Sequence, residues 1–207
     1  MKNIYTTLYV VRHGQSEWNE KGLVQGQTES PLTTLGEEQA KQLGKELRHI
    51  HFDKVFASDL TRARQTAELI SLERQLEIET TKLLRERQFG HYEGKPWEAL
   101  RLLDEMQLTV EEDKRFSFKP HPDIESDEEL VSRFITFLRE VSVSYPGKTL
   151  LVVTHGGIIR ALLLHLGLFT YKDTPRSAVS NTAYIQLESD GVDFFVKQTH
   201  GITTTAA

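Results

Sequence analysis

Two His-Gly pairs in this chain of 207 residues, His13-Gly14 and His155-Gly156, follow short apolar runs. Each pair closes a short apolar run, Leu8–Arg12 before the first and Thr149–Thr154 before the second. Glycine there lets the chain turn sharply and lets backbone N–H groups approach a ligand. Arg12 stands directly beside the first histidine, and Arg62 follows one helical turn after Ser58, where another apolar run ends. Two guanidinium groups and two imidazoles converging on one space would form a phosphate pocket, because guanidinium forks match phosphoryl oxygens and stay charged. A metal site is the rival chemistry, with His13, His155 and Glu86 as ligands. Clustered arginines repel a divalent cation, and no strong Asp/Glu ligand set lies nearby in sequence, so phosphate is favoured. A single His-Gly at a strand end is ordinarily just a turn. The doubling, with its arginines, is what points to chemistry.

The elements that would position these residues alternate. Leu8–Arg12, Lys54–Ala57 and Thr149–Thr154 read as strands, the last almost wholly apolar and so buried on both faces. Glu77–Thr80 is a weaker one. Thr34 and Glu37 have the spacing of a capping box that opens a helix to about Ile50, with Ala40, Leu43 and Leu47 on its apolar side. A second helix runs from about Leu60 through Ile70. Pro96 is placed to open another through Leu103. Ser126 and Glu129 make a further capping box before the amphipathic run Leu130, Phe134, Leu138, Val141. Gly157–Leu166 is a helix whose apolar run is interrupted by Arg160 and His165. Thr182–Leu187 and Val192–Gln198 flank the turn Asp190-Gly191. The tail Gly201–Ala207 has no pattern and reads as loose. The expected class is α/β: a three-layer sandwich, with a mostly parallel central sheet, helices on both faces and an antiparallel edge hairpin. Residues 1–207 form a single domain in this reading, with a mostly helical insertion at about 86–148 as a lid or wall. Ligands in such folds bind beyond the carboxyl ends of the strands, where both His-Gly pairs fall.

Composition bounds the partners. Hydrophobic residues are 38% and charged residues 27%, enough for a sizeable core. Lys plus Arg number 25 against 30 Asp plus Glu, a net charge of -5, which argues against a dedicated nucleic-acid or polybasic membrane binder. The absence of cysteine excludes disulfides, thiolate metal sites and thiol catalysis. No run approaches the ~20 apolar residues of a membrane span, and a cytoplasmic protein is expected.

The segment VVRHGQSEWN (10–19) resembles the opening motif of the histidine phosphatase superfamily, also called phosphoglycerate-mutase-like. The resemblance continues through Gln25-Gly26, Leu32-Thr33, Gly36 and Gln39-Ala40, then SDLTRARQTA (58–67), LRERQFGHYEG (84–94), PDIESDEEL (122–130) and VVTHGGIIR (152–160), in order over nearly the whole chain. It implies that His13 is the nucleophile that becomes a phosphohistidine. Arg12, Arg62 and His155 would complete the phosphate pocket, and Glu86 would be the general acid and base. Asn19 and Gln25 would contact phosphate or substrate, and the backbone at Gly156 would add a donor. It implies no metal, no organic cofactor and a small phosphorylated metabolite as partner, with a homodimer allowed.

The same pocket can serve a phosphatase or a phosphoglycerate-type mutase. The short chain, the His155-Gly156-Gly157 motif (mutases usually carry Asn at the third position) and the loop LRERQFGHYEGK favour phosphatase. A catalytically inactive binding module of the same fold is the alternative from another class, and the five intact core positions weigh against it. Substrate choice falls to the 86–125 region, where Phe89, His91, Tyr92, Lys95, Trp97, Phe116, Phe118, Lys119 and His121 are candidates. Of these His91 and Lys95 are expected to meet a second anionic group. His200 could fold back toward the site. Glu93 is the runner-up acid. Ser126 reads as a helix cap, Glu125 has no role legible in sequence, and Asp123-Ile124 stand where relatives carry glycines.

Overall fold

Strands whose side chains are apolar on both sides must sit at the centre of a layered molecule. The computed structural model describes residues 4–72 and 74–204. In it β1 (Thr6–Arg12) pairs in parallel with β4 (Thr149–Thr154), Val10 opposite Val152 and Arg12 opposite Thr154. β2 (Lys54–Ser58) and then β3 (Ile78–Thr81) extend the sheet in parallel beyond β4. On the other side β5 (Val179–Ser189) runs antiparallel to β1, and β6 (Phe194–Ile202) antiparallel to β5. The order is β3-β2-β4-β1-β5-β6.

Alternate residues of β1 and β4 feed two cores. Leu8, Val10, Leu150 and Val152 pack against the helices of one face, through Leu130, Phe134, Ile158 and Leu162. Tyr9, Val11, Leu151 and Val153 pack against the other, through Leu43, Leu47, Ala63 and Ala67. The helices are α1 (Glu17–Glu20), α2 (Thr34–Glu46), α3 (Thr61–Ile70), α4 (Arg101–Thr109), α5 (Asp127–Ser144) and α6 (Gly156–His165). This is the α/β three-layer sandwich with an antiparallel edge hairpin. Among the described residues no helix is long and apolar enough to cross a membrane.

Several boundaries differ from the sequence reading, each for a local reason. The cap of α2 is Thr33, not Thr34. Its hydroxyl accepts from Gly36 N at 3.1 Å, and the loop holds Thr33 there because Thr33 N donates to Gln15 O at 2.9 Å. The helix ends at Glu46, followed by a 3-10 turn to His49. Pro96 precedes a 3-10 turn, Trp97–Leu100, and the α-helix begins only at Arg101. The Ser126–Glu129 capping box is present in full, with bonds of 3.1 and 2.9 Å. Gly201 and Ile202 are not loose: they continue β6, with Ile202 opposite Val179. The rest of the proposed loose tail from residue 205 on lies outside the described residues.

The stretch expected as one helical insertion over 86–148 divides in two. α5 packs on the sheet as a layer helix, burying Leu130, Phe134 and Leu138 fully. Residues 85–125 contribute Phe89, Leu100, Leu103 and Ile124 to a smaller core shared with Val24, while Phe116 packs against the main core. Ile124 is buried there, and the Asp123 carboxylate accepts from His91 N at 3.0 Å, so this loop is pinned without the glycines.

Candidate active site

The parallel register puts the ends of β1 and β4 side by side. His13 N donates to Thr154 O at 3.0 Å, and the His13 and His155 rings meet edge to face at 5.1 Å. One cavity beyond these ends is lined by Arg12, His13, Asn19, Gln25, Arg62, Glu86 and Gly156. All seven were named from sequence. The eighth, His155, is fully buried with its ring against that of His13. Glu93 is not on the cavity. Its carboxylate accepts from Gln27 N, Phe89 N and the Thr28 hydroxyl, and so staples two loops together.

His13 is held in one tautomer. Its Nδ1 lies 2.7 Å from the Gly14 carbonyl, which can only accept, so Nδ1 carries the hydrogen and Nε2 keeps its lone pair. Its carbonyl is gripped by Asn181 Nδ2 at 3.2 Å and Thr182 N at 3.3 Å. Thr182 adopts φ +57 to do so, in the left-handed region that costs a β-branched residue about 1–3 kcal/mol. Arg12 donates to the Val179 carbonyl, and Arg62 donates to Gly26 O at 2.7 Å and Thr28 O at 2.9 Å. Both arginines are aimed by backbone of neighbouring loops. The Nε of Arg12, the Nε of Arg62 and both ring nitrogens of His155 have no hydrogen-bond partner among the described residues. Buried donors left open in one place are costly unless a ligand supplies the acceptors.

Burial lowers both guanidinium pKa values to about 10, opposed by Glu86. They remain cations at neutral pH. Burial, and then the charge of Arg62, pushes both histidines well below the usual imidazole value, with Arg12 adding to the effect on each. Both are therefore neutral in the free pocket. In the unfolded chain they take up protons as pH falls through about 6.5, while the folded chain resists. Their contribution to stability is full above that pH and is lost on acidification. The denaturation midpoint is expected to fall between pH 7.5 and 5.5, approaching about 1 kcal/mol per pH unit per histidine at the acid end. A flat profile would mean that these imidazoles are not held neutral by the fold.

Glu86 faces the same space from the loop after β3. Its Oε1 accepts from Arg87 N at 2.7 Å and its Oε2 from Gly157 N at 2.9 Å. The second glycine of His155-Gly156-Gly157 has a steric reason here, since a Cβ at residue 157 would overlap the Glu86 carboxylate. Glu125 gains the role that sequence left open. It pairs with Arg133 at 2.7 Å, and Arg133 donates to the Glu86 carbonyl at 2.9 Å, fixing the loop that carries Glu86. Ser16 caps α1, and its hydroxyl donates to Gln25 Oε1 at 2.8 Å. Asn19 Oδ1 accepts from Ser16 N, so one small knot orients both pocket amides.

The substrate-facing wall was only partly legible. Phe89 and Trp97 line the cavity, as expected of them. His91 and Lys95 do not. His91 Nδ1 bonds the Asp123 carboxylate at 2.8 Å on the outer surface, and Lys95 lies over the Tyr92 ring at 4.8 Å. Lys119 pairs with Glu129, Phe116 packs beside His165, and His121 also bonds Asp123. Phe118 lines a smaller neighbouring cavity. His200 sits in β6 with its ring stacked on Tyr184 at 5.1 Å, away from the pocket. Sequence reasoning missed Arg87, Arg160 and Arg176, which do line the cavity. One signal was available, since Arg160 is the lone cation inside an apolar helix.

Known proteins resemble this chain in sequence and in fold. The chain is 35% identical over 161 residues to an uncharacterised phosphatase PhoE of Bacillus subtilis, covering 78% of this chain and 77% of that protein. It is 33% identical over 174 residues to a metal-independent phosphoserine phosphatase of Arabidopsis thaliana, covering 78% and 68% respectively. A solved phosphoglycerate mutase of Bacillus anthracis superposes with a TM-score of 0.81 at 27% identity, covering 97% of this chain and 94% of that one. The sequence model of the histidine phosphatase superfamily (branch 1) matches residues 8–200, and the chain belongs to that family.

Proposed function

We propose that the protein is a metal-independent phosphomonoester phosphatase that acts through a phosphohistidine on a small phosphorylated metabolite. The observation that carries this is the set of open donors of Arg12, Arg62 and His155 around a neutral His13 whose Nε2 is free. Nε2 attacks phosphorus and the bond to the substrate oxygen breaks. Negative charge on the phosphoryl oxygens is met by fixed cations and by His155 N–H, which need no reorganisation. Glu86 passes a proton to the departing oxygen, then takes one from the water that attacks the phosphohistidine. The products are an alcohol and inorganic phosphate. The relatives named as phosphatases support hydrolysis over phosphoryl return. Gly157 supports it too, because a larger residue there would displace Glu86. The mutase alternative keeps the support of the structural match to a mutase.

Phosphate release from p-nitrophenyl phosphate is expected to continue undiminished in EDTA, with 3-phosphoglycerate isomerised far more slowly than phosphomonoesters are hydrolysed. Loss of turnover in EDTA would return the metal reading. Rapid isomerisation with little phosphate release would make the protein a mutase. No turnover by either route would favour the inactive binding module.

A further inference from the structure

Among the described residues one group outside the pocket brings three metal-ligating side chains together, His91, His121 and Asp123. One donor atom from each lies within 4.8 Å of the other two. His91 Nδ1 is 2.8 Å from Asp123 Oδ2, and His121 Nδ1 bonds the second carboxylate oxygen, Oδ1. The two imidazole rings meet edge to face at 4.6 Å. Backbone holds the two stretches of chain together. Gly90, at φ +54, passes so close to residue 123 that a Cβ on it would overlap the Asp123 carboxylate. His91 N donates to Asp123 Oδ2, Ile124 N to His121 O and Glu125 N to Gln88 O, each at 3.0 Å. Ile124, beside Asp123, is buried in the smaller core. The neighbouring cations are engaged elsewhere: Lys119 with Glu129, Arg87 with Asp127, and Lys95 over the Tyr92 ring. Two imidazoles and a carboxylate are thus left facing one another on the surface, and none of the three lines the cavity.

We infer that His91, His121 and Asp123 form a site for a divalent transition-metal ion, zinc above all, which clamps the turn at Gly90 to the loop 121–125. Two imidazoles and one carboxylate, with water in the fourth position, are a donor set that zinc accepts, whereas magnesium and calcium require sets of oxygen. A zinc ion ~2.1 Å from each donor sets them roughly 3.5 Å apart in a tetrahedron, so the exposed rings need to move by only about 1 Å. Each Nδ1 then gives its lone pair to the metal, and the ring hydrogen resides on Nε2. Because the backbone bonds already hold both stretches, binding has little else to order. The ion touches no reacting atom, and hydrolysis stays free of metal as proposed above. Its mechanical reach is the wall of the pocket, since Phe89, the residue before Gly90, does line the cavity. The site is independent of the phosphatase reading.

The probe is the metal alone. Calorimetric titration of chelator-treated protein with zinc chloride is expected to show one saturable site per chain, and the denaturation midpoint should rise as zinc is added. Cobalt in place of zinc should give the visible absorption of a four-coordinate ion. His121→Ala and Asp123→Asn are each expected to weaken binding at least ~100-fold, more than the loss of an outer-shell partner does, and to abolish the rise in midpoint. Both positions lie on the surface, and asparagine keeps an acceptor for His91 N, so both variants should fold. A double variant His49→Ala, His51→Ala removes two other exposed imidazoles and should bind zinc as the parent does. No saturable uptake by the parent would overturn the site, and the three side chains would then be a hydrogen-bonded clip alone. Uptake unchanged in His121→Ala and Asp123→Asn, or lost in the His49, His51 variant, would place the metal elsewhere and overturn it equally.

Discussion

Replacing His13 with alanine is expected to lower phosphate release by ~10⁴-fold or more, while the denaturation midpoint moves by only a few degrees. The chemical loss is large because, among the described residues, no other neutral nucleophilic side chain lines the cavity with Arg12 and Arg62. The structural loss is small because the imidazole makes one hydrogen bond, to the neighbouring Gly14 carbonyl. The backbone bonds to Thr154, Asn181 and Thr182 do not depend on the side chain. The check is a pair of measurements on one preparation: kcat with p-nitrophenyl phosphate, and thermal unfolding. The parent protein quenched in alkali during turnover should carry the phosphoryl group on the peptide containing His13, and the variant should not. Activity within tenfold of the parent would remove His13 as the nucleophile.

Gly36→Ala is expected to destabilise the protein by ~3 kcal/mol and to lower turnover with it. Gly36 lies in the first turn of α2, where the helix meets the loop after His13. A Cβ at residue 36 would overlap the Gln15 carbonyl, and one at Gly14 would overlap the Gly36 carbonyl. Two backbones therefore touch without side chains between them, and neither obstacle is a flexible group that can swing away. Alanine must push α2 and the His13 loop apart, which also disturbs the Thr33–Gln15 bonds holding the two together. Leu35→Ala is the control. It lies in the same helical turn with half of its surface exposed, and should leave turnover unchanged. If Gly36→Ala unfolds at the same denaturant concentration as the parent, the backbone contact is not what holds this loop.

The reacting centre was legible because it is written in local pattern. His13 and His155 each end a strand whose apolar run is unmistakable, and parallel pairing then leaves them no choice but to be neighbours. Arg12 adjoins the first of them, whereas the role expected of Glu86 came only from the resemblance carried by LRERQFGHYEG (84–94). The distal wall was not legible, because what decides it is pairing across long stretches of chain. His91 and Lys95 looked like anion ligands, but Asp123 takes one and Tyr92 takes the other. Arg176 comes from a loop with no periodic signal, and reaches the cavity only because Asp104, 72 residues earlier, holds it. Element ends slipped where a tertiary bond outweighed a local preference, as at Thr33. The expected insertion split for a related reason: the apolar stripe of α5 is served by the sheet, while Phe89, Leu100, Leu103 and Ile124 of the segment before it gather in the smaller core with Val24.

The strand order carries a consequence for how the molecule comes into being. β1 is the first strand made and the one at the middle of the sheet, yet its parallel neighbour is β4 and its antiparallel neighbour is β5. Thr7 waits for Thr149, and the carbonyl of His13 waits for Asn181 and Thr182. During synthesis on the ribosome, both edges of a strand with the apolar centre Leu8–Val11 therefore stay unclaimed while some 140 residues are added. His13 is made early, but its carbonyl is held only once the last hairpin is in place. A chain interrupted before that point holds Arg12, His13, Arg62, Glu86 and His155 without the strand that grips the His13 carbonyl.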